Sequence, residues 1–129
     1  MTVSERFLKY VFYPTMSVDE STTVPTTDKQ LVLGKALVEE LLELGLSDAH
    51  IDEKGYVYAT LPANTDKEVN TIGFIAHMDT SSAASDENIK TAVVEYRGGD
   101  ILLNKEQNIY MKTSDYPYLD KYVGDHLIV

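Results

Sequence analysis

Thr71-Ile72-Gly73-Phe74-Ile75-Ala76-His77-Met78-Asp79-Thr80 is the segment that joins an apolar run to a chemically pointed pair. Thr71 to Ala76 is short, mostly apolar and free of charge, which predicts a strand covered on both faces, the central strand of a sheet. That strand ends directly at His77, with Asp79 two residues on. In α/β sheets, active-site groups collect just beyond the carboxyl ends of strands, where side chains leave the packed layer and meet the loops. Side chains alternate along an extended chain, so His77 and Asp79 are expected on the same side. One of them could then ligate a metal while the other accepts the remaining ring N–H, which fixes the tautomer. The pair also has a plainer reading, in which a backbone carbonyl satisfies His77 and Asp79 with Thr80 forms a turn or a helix cap.

Upstream, Ser4 is placed to cap a helix carrying Phe7, Leu8, Val11 and Phe12, which Pro14 brings to a stop. Ser17 to Thr26 has the composition of an exposed loop. Thr27 and Gln30 then stand at capping-box spacing before a longer helix. On that helix Leu33, Leu37, Leu41 and Leu44 form one stripe, widened by Val38 and Leu42. Glu39, Glu40 and Glu43 are assigned to its solvated side, and Gly45 to its C′ position. Asp48 to Ile51 and Tyr56 to Leu61 are expected to pair as a hairpin about Lys54-Gly55.

Downstream, Thr91 to Tyr96 and Ile101 to Leu103 are expected as two strands around the Gly98-Gly99 turn. A helical turn is expected after Pro117, and His126 to Val129 is strand-like. A strand-like run at a terminus is unusual, which leads us to expect that the sequence is truncated.

The 129 residues include 11 Lys and Arg against 21 Asp and Glu, a formal charge of −10 that repels a phosphate backbone. Neither nucleic acid nor an acidic membrane surface is expected as a partner. No stretch approaches the roughly 18 apolar residues a bilayer span needs. The amino terminus has charges at Glu5, Arg6 and Lys9 and does not look like a secretory signal, so a cytoplasmic protein is expected. The chain has no cysteine, so any metal must be held by His, Asp, Glu or backbone oxygen. With 43% apolar residues, a substantial core is expected. His50 and His126 stand apart from clustered carboxylates and are assigned to structural or surface roles.

Several strings, in this order, carry a family resemblance: Glu5-Arg6-Phe7-Leu8-Lys9-Tyr10-Val11, Val24-Pro25, Ala59-Thr60-Leu61-Pro62-Ala63-Asn64, Ile72 to Ser81, Tyr96-Arg97-Gly98-Gly99-Asp100-Ile101 and Leu127-Ile128. Together they resemble the amino-terminal part of the peptidase T family, tripeptide aminopeptidases of the co-catalytic zinc exopeptidase superfamily. The resemblance covers essentially residues 1–129. It implies that His77 is a metal ligand and that Asp79 is the catalytic aspartate orienting it. It also implies two zinc ions per complete site, a small peptide as substrate, and a water activated between the metals. The remaining ligands, the general-base glutamate and a smaller inserted domain would lie beyond Val129, so the 129 residues alone are expected to be inactive.

The expected fold is α/β, a mixed sheet with flanking helices forming the amino-terminal part of a zinc-exopeptidase catalytic domain over residues 1–129. Two other functions stay open. One keeps the superfamily and changes the substrate to a dipeptide or an acyl-amino acid. The other is a non-catalytic α/β binding module in which His77 and Asp79 are structural.

Overall fold

The computed structural model describes residues 1–129, which divide into two compact units, Met1–Ile89 and Lys90–Val129. The class is α/β, built from short helices and small sheets.

The first unit opens with α1, Val3–Tyr10. Its cap is Thr2 and not Ser4. Thr2 Oγ1 accepts from the Glu5 N–H at 3.2 Å and Glu5 Oε2 accepts from the Thr2 N–H at 2.6 Å, a reciprocal box that Ser4 has no acidic residue three positions on to complete. α2 spans Lys29–Glu43. The expected box at Thr27 and Gln30 does not form: Asp28 is the N-cap, without a side-chain bond, and the Gln30 amide turns to Thr26 Oγ1 at 3.0 Å. The other end is as expected. Gly45 adopts φ +93°, its N–H donates to Leu42 O at 3.0 Å, and the Leu46 N–H donates to Leu41 O at 3.1 Å, the paired bonds of a Schellman motif.

A hairpin, β1 (His50–Ile51) and β2 (Val57–Tyr58), pairs antiparallel as expected, with Ile51 opposite Val57. It seats on α2 at Gly34, where an added Cβ would stand 2.6 Å from the Ile51 side chain. Leu33 is buried in α2, while Leu44 remains 58% exposed. Glu40, expected on the solvated side, is buried and ion-paired with Arg6 and Lys9 of α1. A helix period alone cannot reveal that a second helix brings cations to that face.

The expected central strand is not formed. Residues 71–79 belong to no helix or strand and pair with nothing, and Phe74 and Ile75 are 94% and 100% exposed. A strand needs a neighbouring edge for its N–H and C=O groups, and no strand of this chain pairs with it. Only its end is tied: Met16 and Thr80 form an isolated parallel bridge. The expected mixed sheet is likewise replaced by three separate two-stranded antiparallel sheets. The buried apolar core is correspondingly small, limited to Leu33, Tyr96, Ile101 and Leu119, where composition had suggested more.

The second unit holds β3 (Val93–Glu95), β4 (Ile101–Asn104), β5 (Ile109–Met111), a 3-10 turn at Pro117–Tyr122 and β6 (His126–Ile128). The strands on either side of Gly98-Gly99 do not pair with one another. β4 pairs with the nearby β5, and β3 pairs with β6 with Val94 opposite Leu127. The turn itself is present, with φ of +95° and +80° at the two glycines and the Tyr96 hydroxyl donating to Gly99 O at 2.8 Å. Tyr96, Ile101 and Leu119 form the core of this unit, packed by Met111, Leu127 and Val129.

Candidate metal centre

The Met16–Thr80 bridge positions the site. The Thr80 N–H donates to Thr15 O at 3.2 Å and the Ser17 N–H donates to Thr80 O at 3.0 Å, so residues 15–17 clasp the chain immediately after Asp79. Asp86 closes the same corner by accepting from the Met16 N–H at 2.9 Å, with Lys29 at 3.7 Å. Neighbours of the bridged residues point to the opposite face, which puts Ser17 and Asp79 on the same face as diagonal neighbours, close enough for their side chains to bond.

His77 and Asp79 do meet. Nδ1 of His77 lies 3.0 Å from Oδ1 of Asp79, so its partner is a carboxylate and not a backbone carbonyl. The other carboxylate oxygen, Oδ2, accepts from the Ser17 hydroxyl at 2.5 Å. The Asp79 carboxyl is held below its ordinary value chiefly by Ser17, with partial burial opposing and the His77 hydrogen bond adding to the effect. An ionised carboxylate can only accept, so the proton of a neutral His77 sits on Nδ1. Nε2 is then left with a free lone pair on a side chain that is 83% exposed.

That is the donor arrangement a metal-ligating imidazole uses, an orienting carboxylate behind one nitrogen and the other nitrogen free. It is one ligand of the three that a catalytic zinc ordinarily takes from protein. The chain brings together no group of three or more His, Cys, Asp or Glu side chains able to hold a metal. The pair can therefore supply one ligand to a metal centre and does not form one by itself. The other histidines are placed elsewhere: His50 stacks on Tyr58 at 5.4 Å with Nδ1 2.8 Å from Asp48 O, and His126 lies on β6 opposite Glu95.

Ser17 was not singled out from the sequence. It lies in a stretch whose Ser, Thr and Pro content reads only as a loop, and its partner is 62 residues away. No local pattern carries that information.

No family model matches the chain. Curated relatives do. It is 56% identical over 127 residues to "Peptidase T" of Clostridium acetobutylicum, covering 98% of this chain and 31% of that protein. It is 53% identical over 127 residues to "Peptidase T" of Caldanaerobacter subterraneus subsp. tengcongensis, again covering 98% and 31%. For "Peptidase T" of Parabacteroides distasonis the figures are 49% over 129 residues, covering 100% and 32%. The chain is thus similar to peptidase T over essentially its whole length, and spans about a third of the length of the curated relatives it matches.

Proposed function

We propose that the complete protein is a metal-dependent aminopeptidase that releases the amino-terminal residue of tripeptides, with His77 binding one of two zinc ions. The observation that carries this reading is the bond between His77 Nδ1 and Asp79 Oδ1 at 3.0 Å, which leaves Nε2 as a free ligand atom in a chain similar to peptidase T. Bound zinc would polarise the scissile carbonyl and acidify a bound water. The residues of this chain prepare for that. Asp79 fixes the His77 tautomer and ring plane and strengthens the imidazole as a donor. The exposure of His77 leaves room for ligands supplied by other parts of a longer protein.

The same proposal extends to the fold. In a protein about three times as long, the apolar face of residues 72–75 would be covered and the segment would join a mixed sheet, with His77 and Asp79 just past its carboxyl end. A cytoplasmic location accords with this reading, and no helix of the chain is long and apolar enough to cross a membrane.

The test is a substrate panel with the complete protein. Release of the first residue from tripeptides, lost on chelation and restored by zinc, is expected. Preferential hydrolysis of dipeptides or acyl-amino acids would move the protein within the superfamily, and no hydrolysis of any of them would favour a binding module.

A further inference from the structure

We propose that Ser17 is a positioning residue for the metal centre, its hydroxyl pinning the second oxygen of Asp79 so that the carboxylate holds His77 in one orientation. This rests on the reading of His77 as a metal ligand.

Asp79 is 46% exposed and His77 83% exposed, so neither is immobilised by packing. A half-exposed carboxylate bonded to an imidazole through one oxygen is free to turn about its last side-chain bond, and water competes for its other oxygen. Ser17 removes that freedom. Its Oγ donates to Asp79 Oδ2 at 2.5 Å while Oδ1 stays on His77. With both oxygens tied, the plane of the carboxylate is set, and with it the line along which Nε2 points.

Ser17 is itself anchored. Its main chain is clasped by Thr80, and its Oγ accepts from Gln30 Nε2 of α2 at 3.4 Å. That bond occupies a lone pair of the hydroxyl and leaves the proton for Asp79. Gln30 is buried, and the two N–H groups of its amide are shared among Ser17 Oγ, Thr26 Oγ1 at 3.0 Å and Thr15 O at 3.4 Å. A relay of hydrogen bonds therefore runs from α2 through Ser17 and Asp79 to His77 Nδ1, the ring nitrogen opposite the ligand atom Nε2. Gln30 and Asp79 are the only hydrogen-bond partners of the Ser17 hydroxyl, and the bridge to Thr80 uses backbone groups alone. Removing the hydroxyl thus deletes the pin and keeps the bridge.

The experiment measures zinc affinity by chelator competition in the complete protein and in its Ser17→Ala, Ser17→Thr and His77→Ala variants, alongside steady-state kinetics on a tripeptide and thermal unfolding of the metal-free forms. Loss of a partner behind a metal ligand typically costs 10- to 100-fold, and Ser17→Ala should fall near the lower end, about tenfold in zinc affinity. It should lower kcat with KM for the tripeptide little changed, and Ser17→Thr, which keeps a hydroxyl, should restore both. Native zinc affinity in Ser17→Ala together with a weakened His77→Ala would overturn the role of Ser17 and leave the peptidase reading standing. Native affinity in His77→Ala would overturn the reading of His77 as a metal ligand, and the role of Ser17 with it. If Ser17→Ala unfolds early, Ser17→Thr decides: native zinc affinity supports the pin, and a tenfold loss in a variant that folds normally overturns it.

Discussion

Arg6 of α1 places its guanidinium Nε against the carboxylate of Glu40 on α2, and that carboxylate is only 5% exposed. Lys9, one turn further along α1, approaches the other oxygen at 3.4 Å. The two helices are thereby joined by a buried anion shared between two cations. A buried charge is tolerated only when paired, because burial removes the water that would otherwise solvate it. Arg6→Ala should therefore lower the thermal midpoint more than Lys9→Ala, since Arg6 makes the closer contact and Lys9 stays half in solvent. Equal and negligible effects would mean that the pair contributes nothing to the docking of α1.

The same carboxylate sets a pH dependence. Glu40 is held below its ordinary value of 4.5 by Arg6 first, with burial opposing and Tyr10 and Lys9 assisting. Glu5, Asp48, Asp86 and Asp100 are lowered as well, each mainly by hydrogen bonds to its carboxylate. A carboxyl depressed on folding contributes stability that is full above its unfolded value and is lost as the pH falls through its folded value. The unfolding midpoint should hold level above about pH 5 and drop progressively below it. A midpoint that rises between pH 5 and pH 3 would contradict this assignment.

Gly45 closes α2 at φ +93°, with nothing within 4 Å of where a Cβ would stand. Gly45→Ala meets no steric neighbour and pays only for the left-handed backbone, so it should cost about 1 kcal/mol in urea unfolding. A neutral result would show that the helix end relaxes into another conformation.

Phe74 and Ile75 are almost wholly exposed in the 129-residue chain. Ile75→Asp should change its stability by less than about 0.5 kcal/mol, as surface substitutions do. In the complete protein, where the segment is proposed to be covered, the same substitution should be strongly destabilising. A large loss in the short chain would mean that residues 72–75 are already packed there.

The contrast between these residues explains what the sequence could reveal. Gly45 was legible because the left-handed end of a helix is a local event, and the alternation of hairpin strands is local in the same way, although the helix starts fell at Thr2 and Asp28 and not at Ser4 and Thr27. The hairpin at β1 and β2, the 3-10 turn after Pro117 and the strand at His126 were legible for that reason. The fate of Thr71 to Ala76 was not, since an apolar run states that it suits a covered strand and not whether the cover is present. Glu40 and Ser17 were missed on the same grounds: each takes its role from a partner brought in across 31 to 62 residues. The His77 and Asp79 pair was legible because the two residues that touch are also neighbours in sequence.

Asp79→Asn keeps the shape of the side chain and removes the charge behind His77. Zinc affinity or tripeptide hydrolysis in the complete protein should fall about 10- to 100-fold. Unchanged values would leave Asp79 a purely structural acceptor for Ser17 and His77 and remove it from the metal centre.

The most direct test of the central claim is the zinc content of the complete protein and of its His77→Ala variant after equilibration with buffered zinc. Two zinc ions per chain are expected in the complete protein, at least one of them lost in His77→Ala together with tripeptide hydrolysis. Equal zinc content and equal activity in the two proteins would contradict the assignment of His77 as a ligand.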